Sequence, residues 1–319
     1  MIALLLIAIA AGAASALMFA SIVSGALISL LLVYLAPLPL MVVALGWGPL
    51  AAAFGGIAAA LGLVALLGLP FSIAFVFAVA LPAWWLGHLA MLGRRGAAAP
   101  AANSADLEWY PVGRILIWIA AIATLTTAGV LLSFGTDVEA IADTMRQGMR
   151  EMTGQTDAQM TPEQIELFVK AFMFIAPVAM PLSVMLTLTL NLWLAARVAL
   201  TSGRLHRPWP DLRSAALPLL TLATLSVAIA FSFVGGLSAM LALTVVTALL
   251  FAYAVVGFAV LHVLTLSASN RTFWLTSAYA VTFLFSGLIV VMALLGITDA
   301  LFGVRQRFLR SRPPPLPAS

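Results

Sequence analysis

Cysteine is absent from the 319-residue chain, which removes disulfides, thiolate metal sites, iron–sulfur clusters and cysteine nucleophiles together. Charge is scarce. Asp, Glu, Lys and Arg make up 8% of the residues, against about 25% in a soluble domain. None of the four occurs between Met1 and Gly93. Too little polar surface is left to coat a water-soluble globule. The familiar chemical motifs are missing as well: there is no HExxH helix, paired-Asp metal motif, P-loop or GxSxG elbow. Enzymes that act inside membranes keep ionisable residues in their spans, because proton transfer and metal binding need them. The first four apolar runs hold none, so catalysis, a metal site and a cofactor are not expected.

What the chain has instead is apolar length. Hydrophobic residues make up 64% of the sequence, and a spanning helix needs about 20 of them in a row. The expected fold is therefore all-α, a polytopic transmembrane helix bundle of about eight or nine spans in the lipid bilayer. The net charge of +4 lies in short loops between apolar runs, where it sets orientation and does not form a nucleic-acid surface. The Ala-, Leu- and Gly-rich composition fits a bacterial inner membrane. Composition divides the chain into a four-span block over 1–92, a cytoplasmic loop over 93–114 and a second membrane block over 115–300. An acidic extracytoplasmic segment covers 135–165, and a basic, Pro-rich tail covers 301–319.

The N-terminal run resembles a signal peptide only in part. No Lys or Arg precedes it, and the apolar character continues far beyond it, so it is expected to stay as membrane structure. Pro37 and Pro39 fall inside the second span and predict an end, a kink or an irregular stretch there. In the third span Ala52, Gly56 and Ala60 share one face; in the first, Ala10 with Ala14 and Ala16 with Ala20 do the same. Small residues at every fourth position let another backbone approach, for packing within the chain or for docking a partner. Trp84, Trp85 and His88 precede Arg94 and Arg95, an interfacial pattern.

Arg94, Arg95 and Arg114 mark the first basic loop as cytoplasmic, and Asp137 to Glu166, with seven acids against Arg146 and Arg150, reads as the opposite side. Val138, Ile141, Met145, Met149 and Met152 recur at helical spacing, predicting an amphipathic helix over 137–152 that lies on the membrane surface, caps the bundle or closes a cavity as a lid. Thr161-Pro162-Glu163-Gln164 has the form of a capping box. The helix it starts should run through Pro177 and Pro181 to about Leu200, where Arg197, Arg204, Arg207 and Arg213 mark the return. Spans at 215–233, 238–264 and 273–295 would then leave Arg305, Arg307, Arg310 and Arg312 outside, against the positive-inside rule. One of these segments should fail to cross, or the rule is broken. SRPPPLPAS reads as a polyproline-type tail.

Proton-coupled pumps carry a buried Asp, Glu or Lys; the lack of one points to packing-driven or passively gated roles. Groups left to meet a small neutral or aromatic solute are Tyr34, Trp47, Asn191, Tyr253, His262 and Tyr279.

Several features together resemble the YybS-like family of bacterial multispan proteins: the PLP turn at Pro37–Pro39, the Gly/Ala helix after Gly48, WYPVGR at Trp109–Arg114, and Gly296-Ile297-Thr298-Asp299 followed by Arg305 and Arg307. The N-terminal half of that family is similar to the substrate-binding membrane components of energy-coupling-factor transporters. The resemblance implies docking of a transmembrane coupling subunit and its ATPase through Ala10, Ala14, Ala16 and Ala20. The small-residue faces and the uncharged interior point to a transport-type component that binds a small solute with partner subunits, while the missing binding motif and the surface helix over 137–152 point to a non-transporting scaffold or envelope-assembly protein as the alternative. The larger number of spans and the acidic helix depart from a standard component, and no substrate-binding residue carries over.

Overall fold

The computed structural model describes residues 2–95, 107–155, 160–210, 215–285 and 287–310. Pro100, Arg213, Arg312, the Pro-rich tail and the side chain of Met152 lie outside the described residues. The fold is an all-α polytopic transmembrane helix bundle. Among the described residues seven helical stretches are long and apolar enough to cross a membrane, or eight if a pair bent by 66° near the C-terminal end is one span. The chain divides into two compact units, Met1–Ile122 with Ser183–Pro210, and Ala123–Leu182 with Asp211–Ser319.

In the first unit α1 (Ile2–Ala20) is followed by α2 (Leu27–Leu35), α3 (Pro37–Trp47), α4 (Pro49–Leu67), α5 (Leu69–Phe75) and α6 (Leu81–Ala90). A two-stranded ribbon, β1 (Gly93–Arg95) with β2 (Leu107–Trp109), leads to α7 (Val112–Phe134). The prolines at 37 and 39 interrupt the second span less than their chemistry suggests. Only Ala36 separates α2 from α3, its own dihedrals are helical, and its N–H reaches the carbonyl of Val33 at 3.2 Å. Pro37 opens α3, and the Val33 carbonyl that an amide at 37 would have reached accepts from the Ala36 N–H instead, so the missing N–H costs little there. Sharp reversals fall instead at Gly48 (φ 101°), just ahead of Pro49 at the start of α4, and at Gly68 (φ 88°), ahead of Leu69 and Pro70 in the first turn of α5. A side chain at either position would oppose that backbone.

The tightest contact of this unit is between α1 and α4. A methyl group at Gly12 would run into the carbonyl of Gly55, and one at Gly55 into the carbonyl of Ala8. Lipid tails are as apolar as leucine, so helices in a membrane gain little from hydrophobicity and associate through close packing. Glycine lets two backbones reach that distance. Ala8, Val43 and Ala51 form a buried cluster beside the seam, flanked by Ile7, Ala11 and Trp47.

The second unit contains the end of α7, α8 (Val138–Gln155) and the first half of α9 (Pro162–Thr201). Thr161 and Gln164 close the capping box: the Thr161 N–H donates to Gln164 Oε1 at 2.8 Å, and the Gln164 N–H to Thr161 Oγ1 at 3.3 Å. The apolar stripe of α8 is used inside the unit. Ala142 packs with Ile165 and Val169, and Met145, Met149, Met160 and Met173 surround them. The polar face is left outward.

After Thr201 the expected three spans become one full-length helix and several shorter pieces. The single long helix is α11 (Gly236–Leu264, 29 residues). The segment expected at 215–233 forms only α10 (Leu220–Phe231, 12 residues), about 18 Å at 1.5 Å per residue against a core of about 30 Å. The segment expected at 273–295 is split into α12 (Arg271–Leu284) and α13 (Leu288–Phe302), with Phe285 extended between them. Gly303 then turns the chain into α14 (Val304–Arg310). Two of the three apolar runs are thus not single straight helices long enough to cross, α10 by its length and the last by its break at Phe285.

Candidate functional site

The polar side chains chosen from the sequence fall in both units, three in each, and they form pairs. Asn191, fully buried on α9, donates both hydrogens of Nδ2, to the carbonyl of Thr187 one turn earlier and to the carbonyl of Tyr34 at the end of α2, each at 2.7 Å. Because both neighbours are carbonyls, the amide orientation is fixed by its partners. This brings an extra donor to the stretch where Pro37 and Pro39 remove two. Asn191 Oδ1 is buried and has no hydrogen-bond partner among the described residues. Leaving such an acceptor unsatisfied costs about 1–3 kcal/mol. The Tyr34 hydroxyl, half-exposed, accepts from Ser183 Oγ at 3.2 Å and keeps its own proton to donate. Ser183, 149 positions from Tyr34 in the chain, had no sequence signal linking it to the other two.

Trp47 is not in that group; the guanidinium of Arg204 lies 4.5 Å above its ring. In the second unit the buried Tyr253 shares a 2.6 Å hydrogen bond with Thr221 on α10. His262 Nε2 and the Tyr279 hydroxyl are 3.0 Å apart, and Tyr279 stacks on Phe258 with ring centres 4.7 Å apart. Tyr253 and Thr221 thus satisfy each other across α10 and α11, which is a fastening role.

The small-residue faces separate in a similar way. Ala52 and Gly56 are buried in α4, with Gly56 packed toward Ala80, and Ala60 gives its carbonyl to Ser72 Oγ at 2.8 Å. On α1 the buried residues are Ala8, Gly12 and Ser15; Ala10 is exposed, and Ala14, Ala16 and Ala20 are partly covered. The seam residues Ala8 and Gly12 stand in one row with Ala16 and Ala20, whereas Ala10 and Ala14 lie on another side of α1.

Sequence reasoning missed a buried ion pair, which also corrects the expectation that no buried carboxylate exists. Asp299 and Arg305 are each 7% exposed. Asp299 Oδ2 accepts from Arg305 Nε at 2.8 Å, while Oδ1 accepts from the Arg305 backbone N–H at 2.8 Å. The guanidinium also donates to the carbonyl of Ala215 at 2.9 Å. The carboxylate thus caps the start of α14 just past the left-handed turn at Gly303 (φ 62°), and the arginine covers a carbonyl ahead of α10. Asp299 is neutralised and fully engaged, unlike a free proton carrier. The available signal was Gly303 standing between the two charges.

Basic side chains gather at one end of the first unit. Arg207, half-buried, donates to the carbonyls of Ala90 and Tyr110 at 3.0 and 2.9 Å, and burial pushes its pKa down. Arg94 pairs with Glu108 at 2.8 Å. Trp85 meets Trp118 edge-on at 5.0 Å, His88 stacks on Trp84, and Trp118 Nε1 donates to the Tyr110 hydroxyl at 3.2 Å. In the second unit a surface depression of about 540 Å³ lies over the polar face of α8, lined by Asp143, Arg146, Gln147, Arg150 and Glu151. Among the described residues no three His, Asp or Glu side chains are placed to hold a metal ion.

Comparison with protein families finds the description "Predicted membrane protein (DUF2232)" over residues 13–300. Curated proteins and solved structures return no match. The chain belongs to the DUF2232 family of predicted membrane proteins.

Proposed function

We propose that this DUF2232 member is a non-enzymatic, transport-type component of a bacterial inner membrane that binds a small neutral or aromatic solute at the junction of α2 and α3. The observation carrying this reading is the buried, unpartnered Oδ1 of Asn191 beside Tyr34. A solute N–H or O–H would satisfy that acceptor, and the Tyr34 hydroxyl proton supplies a complementary donor. Desolvated polar groups of this kind discriminate by hydrogen bonding, because an analogue lacking the donor leaves the acceptor unpaired. The uncharged surroundings favour a neutral solute. A partnership with a coupling subunit and an ATPase rests on the resemblance read from the sequence alone, and it is supported by the exposed Ala10, on a face of α1 not occupied by α4.

The test is purification in mild detergent followed by mass spectrometry of what denaturation releases. Wild type should release a small molecule, and Asn191→Leu, which keeps the volume and removes the acceptor, should not. An empty wild-type preparation that also lacks a coupling subunit would remove the reading.

A scaffold role has one observation of its own. The apolar side of α8 is consumed on α9, so its charged side is presented outward. Reversing charge at Arg150 and Glu151 together should then abolish partner capture without unfolding the unit, whereas solute release should be unaffected.

A further inference from the structure

The arginines at the basic end of the first unit divide by what they touch. Arg94 is held by Glu108, and Arg207 is spent on the carbonyls of Ala90 and Tyr110. Arg197 and Arg204 make no ion pair among the described residues, and both are exposed. Each lies over an indole, Arg204 at 4.5 Å from the ring centre of Trp47 and Arg197 at 5.3 Å from that of Trp209. A cation–π contact holds a guanidinium against a ring without using its N–H groups in hydrogen bonds, so those donors stay available to an oxyanion.

Their level in the membrane follows from contacts. Trp47 ends one span, Ala90 another and Thr201 a third, and Tyr110 lies just before α7. Arg204 over Trp47 and Arg207 on Ala90 and Tyr110 gather these ends at one side. Tryptophan at a span end marks the headgroup level. Next to the arginines, α9 exposes Trp193, Val198 and Leu200, and α4 exposes Leu50. A ligand seated there has its anionic part on arginine and its apolar part along the helices.

We propose that Arg204 on Trp47, assisted by Arg197 on Trp209, forms a site for the phosphate of an anionic phospholipid, with the acyl chains lying on the exposed apolar residues below. The phosphate oxyanion takes the paired N–H donors of the Arg204 edge. A free phosphate ion has the same oxygens but gains nothing from the apolar flank.

Purified full-length protein, delipidated and then offered phosphatidylglycerol or phosphatidylcholine in mixed micelles, gives the test by native mass spectrometry. Wild type should retain phosphatidylglycerol in preference to phosphatidylcholine. Arg204→Ala should lower that retention about fivefold, the effect of one basic residue at a membrane surface, and Arg197→Ala should lower it less. Arg94→Ala removes the same charge from the same end and should leave retention unchanged, and millimolar inorganic phosphate should not compete. Equal retention by wild type and both variants overturns the site. An equal loss in Arg94→Ala reduces it to general surface charge and also overturns it, and full competition by inorganic phosphate assigns the site to a free anion in place of a lipid. Circular dichroism confirms that each variant is folded before it is scored.

Discussion

Glycine makes the closest helix contacts in both units: Gly12 meets Gly55 in the first, while in the second Gly257 meets the carbonyl of Met292 and Gly296 that of Tyr253. Charge is handled differently. In the first unit the described charged side chains lie in the ribbon, in loops or near span ends, and the break between α2 and α3 is met without charge, by the Asn191 amide donating to the carbonyl of Tyr34. The second unit contains a short helix, α10, and a helix broken at Gly303, and there Asp299 and Arg305 are buried together. Broken helices leave backbone donors and acceptors unpaired, and hydrocarbon offers no water to cover them. The ion pair provides that cover, with the carboxylate on the Arg305 N–H and the guanidinium on the Ala215 carbonyl. The break at Ala36 is met by an uncharged amide, whereas the turn at Gly303 is met by a buried ion pair.

The most severe break of this contrast is Asp299→Ala, which strands a buried guanidinium. Removing one partner of such a pair typically costs about 3–5 kcal/mol. Thermal unfolding followed by circular dichroism in detergent should show the loss, with the end of the second unit becoming sensitive to protease. The double change Asp299→Leu with Arg305→Met removes both charges and should recover part of the stability. Recovery stays incomplete because the Ala215 carbonyl remains uncovered. Full recovery would show that the charges, and not the backbone they cover, decide the packing.

A second test asks whether the glycine contacts are equivalent. Gly55→Ala and Gly257→Ala each place a methyl group against a backbone carbonyl, and overpacking of that kind costs about 1–3 kcal/mol. Backbone cannot rotate away as a side chain does, so both should sit at the upper end and match each other. Gly62, with open space where its side chain would be, is the control. Changed to Ala it should gain stability slightly, because it lies inside α4 and alanine is the better helix former. A large difference between the 55 and 257 variants would show that one unit can relax around its seam and the other cannot.

Legibility from sequence followed the range of the interactions. The capping box at Thr161 and Gln164 is contained in four residues, and the helix it opens ends at Thr201, one residue past the expected end. The stripe on α8 was equally local. Sidedness of the small residues was not, because α1 has alanine or glycine on several faces and only the neighbour decides which is buried; it chose Gly12 over Ala10 and Ala14. Asp299 and Arg305 stand six positions apart, and on a straight helix at about 100° per residue they would point away from each other. Only the turn at Gly303 brings them together. For the candidate site, polarity singled out Tyr34 and Asn191 as uncommon residues in an apolar setting, and the structure brings them together. Their pairing spans 157 positions, and nothing local announces it.

The smallest expected effect comes from the other ion cluster of the second unit, and it separates burial from charge. Arg146 on α8 reaches Glu166 at 2.7 Å, Asp143 at 2.6 Å and Glu139 at 3.1 Å, and these carboxylates, Glu166 foremost, raise its pKa further. The carboxylates are all substantially exposed, so water and salt screen the cluster in a way they cannot screen Asp299. Arg146→Gln should therefore lower the unfolding temperature less than either of the preceding changes, and only at low ionic strength. Raising salt to 0.5 M, where the screening length falls well below about 8 Å, should erase the difference from wild type, while leaving the Asp299→Ala defect in place. A salt-resistant loss at Arg146 would mean that its aliphatic stem contributes more than its charge.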